Sequence, residues 1–173
     1  MSMVENRQLI VEASELGALL KSHDFRLSTV ESCTGGGIGY TVTSLAGSSD
    51  WFDRAYVTYS NEAKSEMVGV SPKLIDEHGA VSEEVALAMV DGGLRESGSD
   101  CCVAVTGVAG PGGGSAAKPV GMVCFGWGFR VSPGKSTFNI ETHYFDGDRQ
   151  DVRKSTIYIA LQGMAKLVTE AKS

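Results

Sequence analysis

The sequence predicts an α/β fold, a three-layer α/β/α sandwich around a mixed, mostly parallel sheet. Three observations predict it. Helical and extended patterns alternate through the early part of the chain. The continuous apolar run Cys101-Cys-Val-Ala-Val-Thr106 has the character of a strand covered on both faces. Two extended segments joined by Ser132-Pro-Gly134 form a late hairpin, so the sheet is mixed. The length, 173 residues, is that of one domain, residues 1–173.

The elements follow in order. Leu9, Ala13, Leu16 and Leu20 recur at helical spacing, which predicts a first helix over residues 5–22. Phe25 to Glu31 reads as a strand, and after Ser32-Cys-Thr-Gly-Gly-Gly37 a second helix runs to about Leu45. Phe52 to Tyr59, rich in aromatic and β-branched residues, is a second strand. Asn61 to Val68 is helical. At Ser71-Pro72 a serine cap and a proline at the first helical position start another helix, which Gly79 stops. Ser82-Glu83-Glu84 opens a further helix, its acids at the positive end of the dipole, with Val85, Ala88, Met89 and Gly92 facing the core. Residues 101–106 are the covered strand, and a Gly-rich loop runs from Gly107 to Lys118. Val120 to Arg130 and Thr137 to Phe145 form the hairpin. Asn139, Glu141 and His143 alternate with apolar residues in its second strand, which predicts one wet face. Asp148 caps a last helix with Val152, Ile159, Gly163 and Leu167 inward.

Composition excludes several classes. Lys plus Arg is 15 and Asp plus Glu is 21, giving a net charge of −6. That balance, with no basic stripe, argues against a broad nucleic-acid surface. No apolar run approaches the roughly 20 residues of a membrane span. The first 20 residues carry Glu5, Glu12 and Glu15 at helical periodicity and do not read as a signal peptide. Cys33, Cys101, Cys102 and Cys124 show no CxxC spacing, and His23, His78 and His143 are the only histidines, so no zinc site of the common types is expected. Few cysteines and no disulfide framework indicate a reducing, cytoplasmic setting.

Glycine makes up 22 of 173 residues, about 13% against a usual level of roughly 7%. The glycines concentrate at Gly35-Gly36-Gly37 and at Gly107 with Gly110-Pro-Gly-Gly-Gly114, two loops that follow predicted strands. Ligands in α/β sheets bind outside the carboxyl ends of strands, and glycine lets the backbone approach them. Two tight turns are the plainer alternative. Ser32 ends a strand just before a Gly-rich helix entrance, where the N–H groups of Thr34 to Gly37 point outward and could hold an oxyanion. Ser32 is thus a candidate nucleophile or an N-cap, and Cys33 is a rival, but successive extended residues point opposite ways. No histidine lies in a Gly-rich loop, and no GxSxG surrounds a serine. A lysine serves as base if desolvation lowers its pKa. Lys64, in Tyr59-Ser-Asn-Glu-Ala-Lys64, is either that base or a solvated surface charge. Arg149 and Arg153 share a helix face and suit a phosphate monoester, or else pair with Asp146, Asp148 or Asp151.

Glu31-Ser-Cys-Thr-Gly-Gly36, Tyr59-Ser-Asn-Glu-Ala-Lys64, Gly79-Ala-Val-Ser82, Thr106-Gly-Val-Ala-Gly-Pro-Gly-Gly113, Lys118-Pro-Val-Gly121 and Gly147-Asp-Arg149 with Val152-Arg153 occur in order. With these six motifs the chain resembles the CinA carboxy-terminal domain family, the nicotinamide-nucleotide amidases, in stand-alone form, from about residue 6 to 170. The resemblance implies hydrolysis of the carboxamide of nicotinamide mononucleotide to nicotinic acid mononucleotide and ammonia, in pyridine nucleotide recycling, with no metal and no cofactor. It implies Ser32 as nucleophile, activated by Lys64 and Tyr59. Thr34, Gly35, Gly36, Thr106, Gly107, Gly110, Gly112, Arg149 and Arg153 are then the candidate substrate-binding residues. A homo-oligomer is expected, with no nucleic-acid or membrane partner. Two alternatives stand beside this reading: a non-catalytic nucleotide-binding module, and a partner protein in competence or DNA damage, prompted by the family's association with competence.

Overall fold

The computed structural model describes residues 4–172; residues 1–3 and 173 of the expected domain lie outside the described residues. The chain runs α1 (Asn6–Ser22), β1 (Leu27–Glu31), α2 (Gly37–Thr43), β2 (Phe52–Val57), α3 (Asn61–Val68), α4 (Pro72–His78), α5 (Glu83–Ser97), β3 (Cys101–Gly107), β4 (Met122–Ser132), β5 (Lys135–Tyr144) and α6 (Arg149–Lys172). One 3₁₀ turn, Ser48–Asp50, precedes β2 and is not announced by the sequence pattern.

The strands form one sheet in the order β2-β1-β3-β4-β5. β1 pairs in parallel with β2 and β3, whereas β4 is antiparallel to both of its neighbours, so β4 alone runs against the other four. This is the mixed, mostly parallel sheet of an α/β/α sandwich. α1, α2 and α6 pack on one face and α3, α4 and α5 on the other. The chain leaves β1 through α2 on one face and leaves β2 through α3–α5 on the other. A topological switch point therefore lies between β1 and β3, where the loops after β1, β2 and β3 meet.

Period-two alternation divides the core. Cys101, Val103 and Val105 face α1 and α6, and Cys102 and Ala104 face α5. Leu9, Ala13, Leu16 and Leu20 bury the predicted stripe of α1. Ser82 caps α5, accepting from the Val85 N–H at 3.3 Å.

Several expectations need correction. Ser71 makes no side-chain capping bond, so Pro72 alone marks the start of α4. On α5, Val85, Met89 and Gly92 are buried as expected, but Ala88 is only half-buried and Ala86, Val90 and Leu94 join the core. On α6, Ile159 is half-buried, whereas Ile157, Ala160, Leu161, Met164 and Val168 join Val152 and Leu167 in the core. The reason is that α6 contacts both α1 and strands β3 and β4, so its buried surface is wider than one stripe. β5 has no wet face. As an edge strand incompletely covered by helices it is half-buried along most of its length, and Asn139, Glu141 and His143 form a hydrogen-bonded row.

Candidate active site

β1 ends at Glu31, and the chain folds back at once. The Gly35 N–H bonds Ser32 O at 3.0 Å and the Gly37 N–H bonds Thr34 O at 3.1 Å, closing two successive turns. Gly35 and Gly36 take φ of +58° and +89°, where a side chain would strain the backbone. Two of the four N–H groups expected to point outward are thus spent on the loop itself. Among the described hydrogen bonds, those of Thr34 and Gly36 have no protein acceptor.

Ser32 is nearly buried, and its Oγ accepts from Lys64 Nζ at 3.1 Å. Lys64 is 1% exposed, not a solvated surface charge. Its amine also donates to Thr58 O at 2.9 Å and Ser60 O at 3.5 Å. Ser60 in turn caps α3, accepting from the Ala63 N–H at 3.0 Å. No carboxylate pairs with Lys64 among the described residues. Burial therefore pushes its pKa below the usual 10.5.

Cys33 points the other way, into the core with α1 and α6. Burial pushes its thiol up to about 12, against a hydrogen bond from its own backbone; the negative charge of Glu31 adds to the rise, and Arg153 and Lys64 oppose it more weakly. Successive residues after β1 point opposite ways: the Ser32 hydroxyl faces the lysine and the Cys33 thiol faces hydrocarbon. The histidines lie elsewhere. His23 stacks on Phe25, His78 ends α4, and His143 bonds Glu141.

Arg149 and Arg153 reach from the first turns of α6 to both Gly-rich loops. Arg149 donates to Gly110 O at 2.7 Å and to the Tyr59 hydroxyl at 3.0 Å. Arg153 donates to Thr34 O at 2.7 Å, and its Nε is buried with no hydrogen-bond partner. Neither guanidinium is ion-paired among the described residues, so the alternative of a salt bridge to Asp146, Asp148 or Asp151 drops out. Asp148 accepts from the Gln150 and Asp151 N–H groups, and Asp151 accepts from the Asp148 N–H. Two of the three acids are thus occupied in capping α6.

Thr106 is fully buried, and its hydroxyl holds Ala80 O at 2.7 Å, anchoring the 79–82 segment beside β3. Gly107 packs on β4, where a Cβ would meet Val123 Cγ2 at 2.7 Å. Gly112 is exposed, with open space around it. Lys118 bonds His78 O and ties the end of this loop to α4. Tyr59 is 60% exposed and meets Arg149, whereas the Ser32 hydroxyl is bonded by Lys64 and, among the described residues, not by Tyr59.

Sequence reasoning missed two residues here. Thr58 supplies the carbonyl that seats Lys64, and the Glu31 carboxylate holds the loop after β1. Only the place of Glu31 directly before Ser32 hinted at a role.

The CinA C-terminal domain model matches residues 11–168. The chain belongs to the CinA C-terminal domain family. Within that family it is 49% identical over 158 residues to the nicotinamide-nucleotide amidohydrolase PncC of Pseudomonas putida, covering 91% of this chain and 96% of that one. It is 43% identical over 155 residues to the nicotinamide-nucleotide amidohydrolase PncC of Escherichia coli K12, covering 90% and 92%. The crystal structure of the competence/damage inducible protein CihA from Agrobacterium tumefaciens, another CinA-type fold, superposes with a TM-score of 0.86 at 40% identity, covering 92% and 95%. Among the described residues, no group of three or more His, Cys, Asp or Glu is placed to hold a metal ion, and no helix is long and apolar enough to cross a membrane.

Proposed function

We propose that the protein hydrolyses the carboxamide of nicotinamide mononucleotide, giving nicotinic acid mononucleotide and ammonia, in pyridine nucleotide recycling. The observation that carries this reading is the buried Ser32–Lys64 contact at 3.1 Å, in a chain similar to amidohydrolases along most of its length.

As a neutral amine, Lys64 gives its two N–H groups to Thr58 O and Ser60 O and turns its lone pair to the Ser32 hydroxyl. Ser32 Oγ attacks the amide carbon as its proton passes to Lys64. The N–H groups of Thr34 and Gly36 stabilise the oxyanion at the entrance of α2. The Lys64 ammonium returns that proton to the departing nitrogen, which leaves as ammonia. Water then attacks the acyl-enzyme with the same amine as base, restoring Ser32.

Tyr59 enters through Arg149. Its hydroxyl orients the guanidinium at the rim, where the substrate phosphate would find an unpaired cation. Arg153 supports the same rim from the Thr34 side. A local cationic rim suits an anionic substrate despite the net charge of −6. The reading sets the reaction in the cytoplasm, expects a homo-oligomer, and gives no part to nucleic acid, membrane, metal or cofactor.

The test is ammonia release by purified protein from nicotinamide mononucleotide, with Ser32→Ala expected to abolish it. Full activity in Ser32→Ala would return the nucleophile to Cys33. Tight nucleotide binding with no turnover in the wild type would favour the binding-module alternative.

A further inference from the structure

Glu31 is the last residue of β1, and the hydrolysis above assigns it no step. Its side chain is 0% exposed. A buried carboxylate is costly unless its lone pairs are met. Here each oxygen receives two donors. Oε1 accepts from the Gly39 N–H at 2.8 Å and the Thr29 hydroxyl at 3.1 Å. Oε2 accepts from the Thr34 hydroxyl at 2.7 Å and the Ile38 N–H at 2.9 Å.

Ile38 and Gly39 lie in the first turn of α2, whose N–H groups have no intrahelical acceptors. The N-cap of α2 is Gly36, which has no side chain to supply one. Glu31 takes that part from outside the helix, and the Ser32–Gly36 segment is closed over it. The backbone of Glu31 extends the same control to the base. Glu31 O accepts from the Thr58 N–H at 2.8 Å, and Thr58 O accepts from Lys64 Nζ at 2.9 Å. One residue thus adjoins the nucleophile, shapes the N–H loop and indexes the seat of the lysine.

We propose that Glu31 is a positioning residue for acyl transfer, its buried carboxylate aiming the Thr34 and Gly36 N–H groups at the oxyanion that forms beside Ser32. This rests on the serine amidase reading. The carboxylate acts through the loop and does not touch the substrate.

The test compares Glu31→Gln, Thr34→Val and Thr34→Ser with the wild type. It reads kcat and KM for nicotinamide mononucleotide and the rate at which a fluorophosphonate labels Ser32. In Glu31→Gln an amide NH2 replaces one acceptor oxygen and faces two donors. Its kcat is expected to fall about 100-fold or more, as for a lost oxyanion donor, with KM held within about 3-fold. Ser32 labelling slows in parallel. Thr34→Val, lacking one donor to the carboxylate, should lose roughly 10-fold in kcat, and Thr34→Ser should restore it. A purely structural carboxylate would lower the melting temperature and leave kcat per folded molecule unchanged, which overturns the proposal, as does a loss confined to KM. Should Glu31→Gln fail to fold, the two Thr34 variants carry the same comparison. A wild type that releases no ammonia overturns the amidase reading alone, and the labelling rates then decide on Glu31. A wild type whose Ser32 resists labelling overturns the positioning role too.

Discussion

Lys64 Nζ stands 3.1 Å from Ser32 Oγ, and the lysine is almost wholly buried, with no carboxylate paired to it among the described residues. Its other neighbours are two backbone carbonyls, Thr58 O and Ser60 O. Carbonyl dipoles hold an amine in place, but they compensate an ammonium less well than an ion pair would. Desolvation therefore prevails, and the arrangement favours the neutral amine that a serine nucleophile requires.

A pH dependence follows from the lowered pKa of Lys64. The rate constant kcat/KM should rise as Lys64 loses its proton, with a midpoint below the usual lysine value of 10.5. The sign for stability is the same. Between the folded and unfolded pKa values the unfolded chain binds more protons, so stability increases with pH across that window. Lys64→Met should abolish the activity and flatten that stability rise. A pH–rate profile and urea melts over the same pH range check both.

Cys33 should prove dispensable for chemistry. Its thiol is pushed up to about 12, so almost no thiolate exists at neutral pH, and thiolate is the reactive form. Iodoacetamide at neutral pH should leave the amidase active. Cys33→Ala should keep kcat within about 3-fold while losing about 1 kcal/mol of stability from the core. Rapid inactivation by the alkylating agent, or loss of turnover in the variant, would contradict this.

These outcomes bear on what a sequence can disclose. The sheet and its helices were legible because period 3.6 is written in the apolar positions of Leu9–Leu20, and a strand covered on both faces in the continuous apolar run Cys101–Thr106. Which of the Ser32 hydroxyl and the Cys33 thiol faces Lys64 was legible only as an alternation, with its phase unknown until β1 was placed. Burial of Lys64 was not legible, since nothing in the Asn61–Val68 pattern separates an inward lysine from a solvated one. The role of Glu31 was hidden for a related reason. Its four donors come from residues at most eight positions away, but they converge only because a left-handed Gly35–Gly36 turn closes the loop. The arginines pairing with carbonyls could not be read either. Asp148 and Asp151 look like ion-pair partners until one sees them spent on capping α6.

Arg149 should discriminate for phosphate. Its guanidinium sits on two neutral partners, Gly110 O and the Tyr59 hydroxyl, and so retains its charge for a ligand. Arg149→Gln should raise KM for nicotinamide mononucleotide by roughly 10- to 100-fold, the worth of a charge-assisted hydrogen bond. It should change KM for nicotinamide riboside, which lacks the phosphate, far less. Equal effects on both substrates would assign Arg149 to loop packing alone.

Gly92 on α5 should couple stability to activity. A Cβ there would stand 1.9 Å from Val68 O, a backbone atom at the end of α3. No rotamer relieves that contact, so Gly92→Ala must push α3 away, and α3 carries Lys64 one turn earlier. Overpacking of this kind costs about 1–3 kcal/mol, with Tm falling roughly 2–4 °C per kcal/mol for a chain of this size. Gly163→Ala is the matched control. Its Cβ would meet the Trp127 ring at 2.3 Å, but it lies on α6 against β4 and away from α3. Both variants should melt earlier, whereas kcat measured well below Tm should fall for Gly92→Ala and hold for Gly163→Ala. Parallel loss of kcat in both would mean that the Ser32–Lys64 distance depends on the whole core and not on the seat of α3.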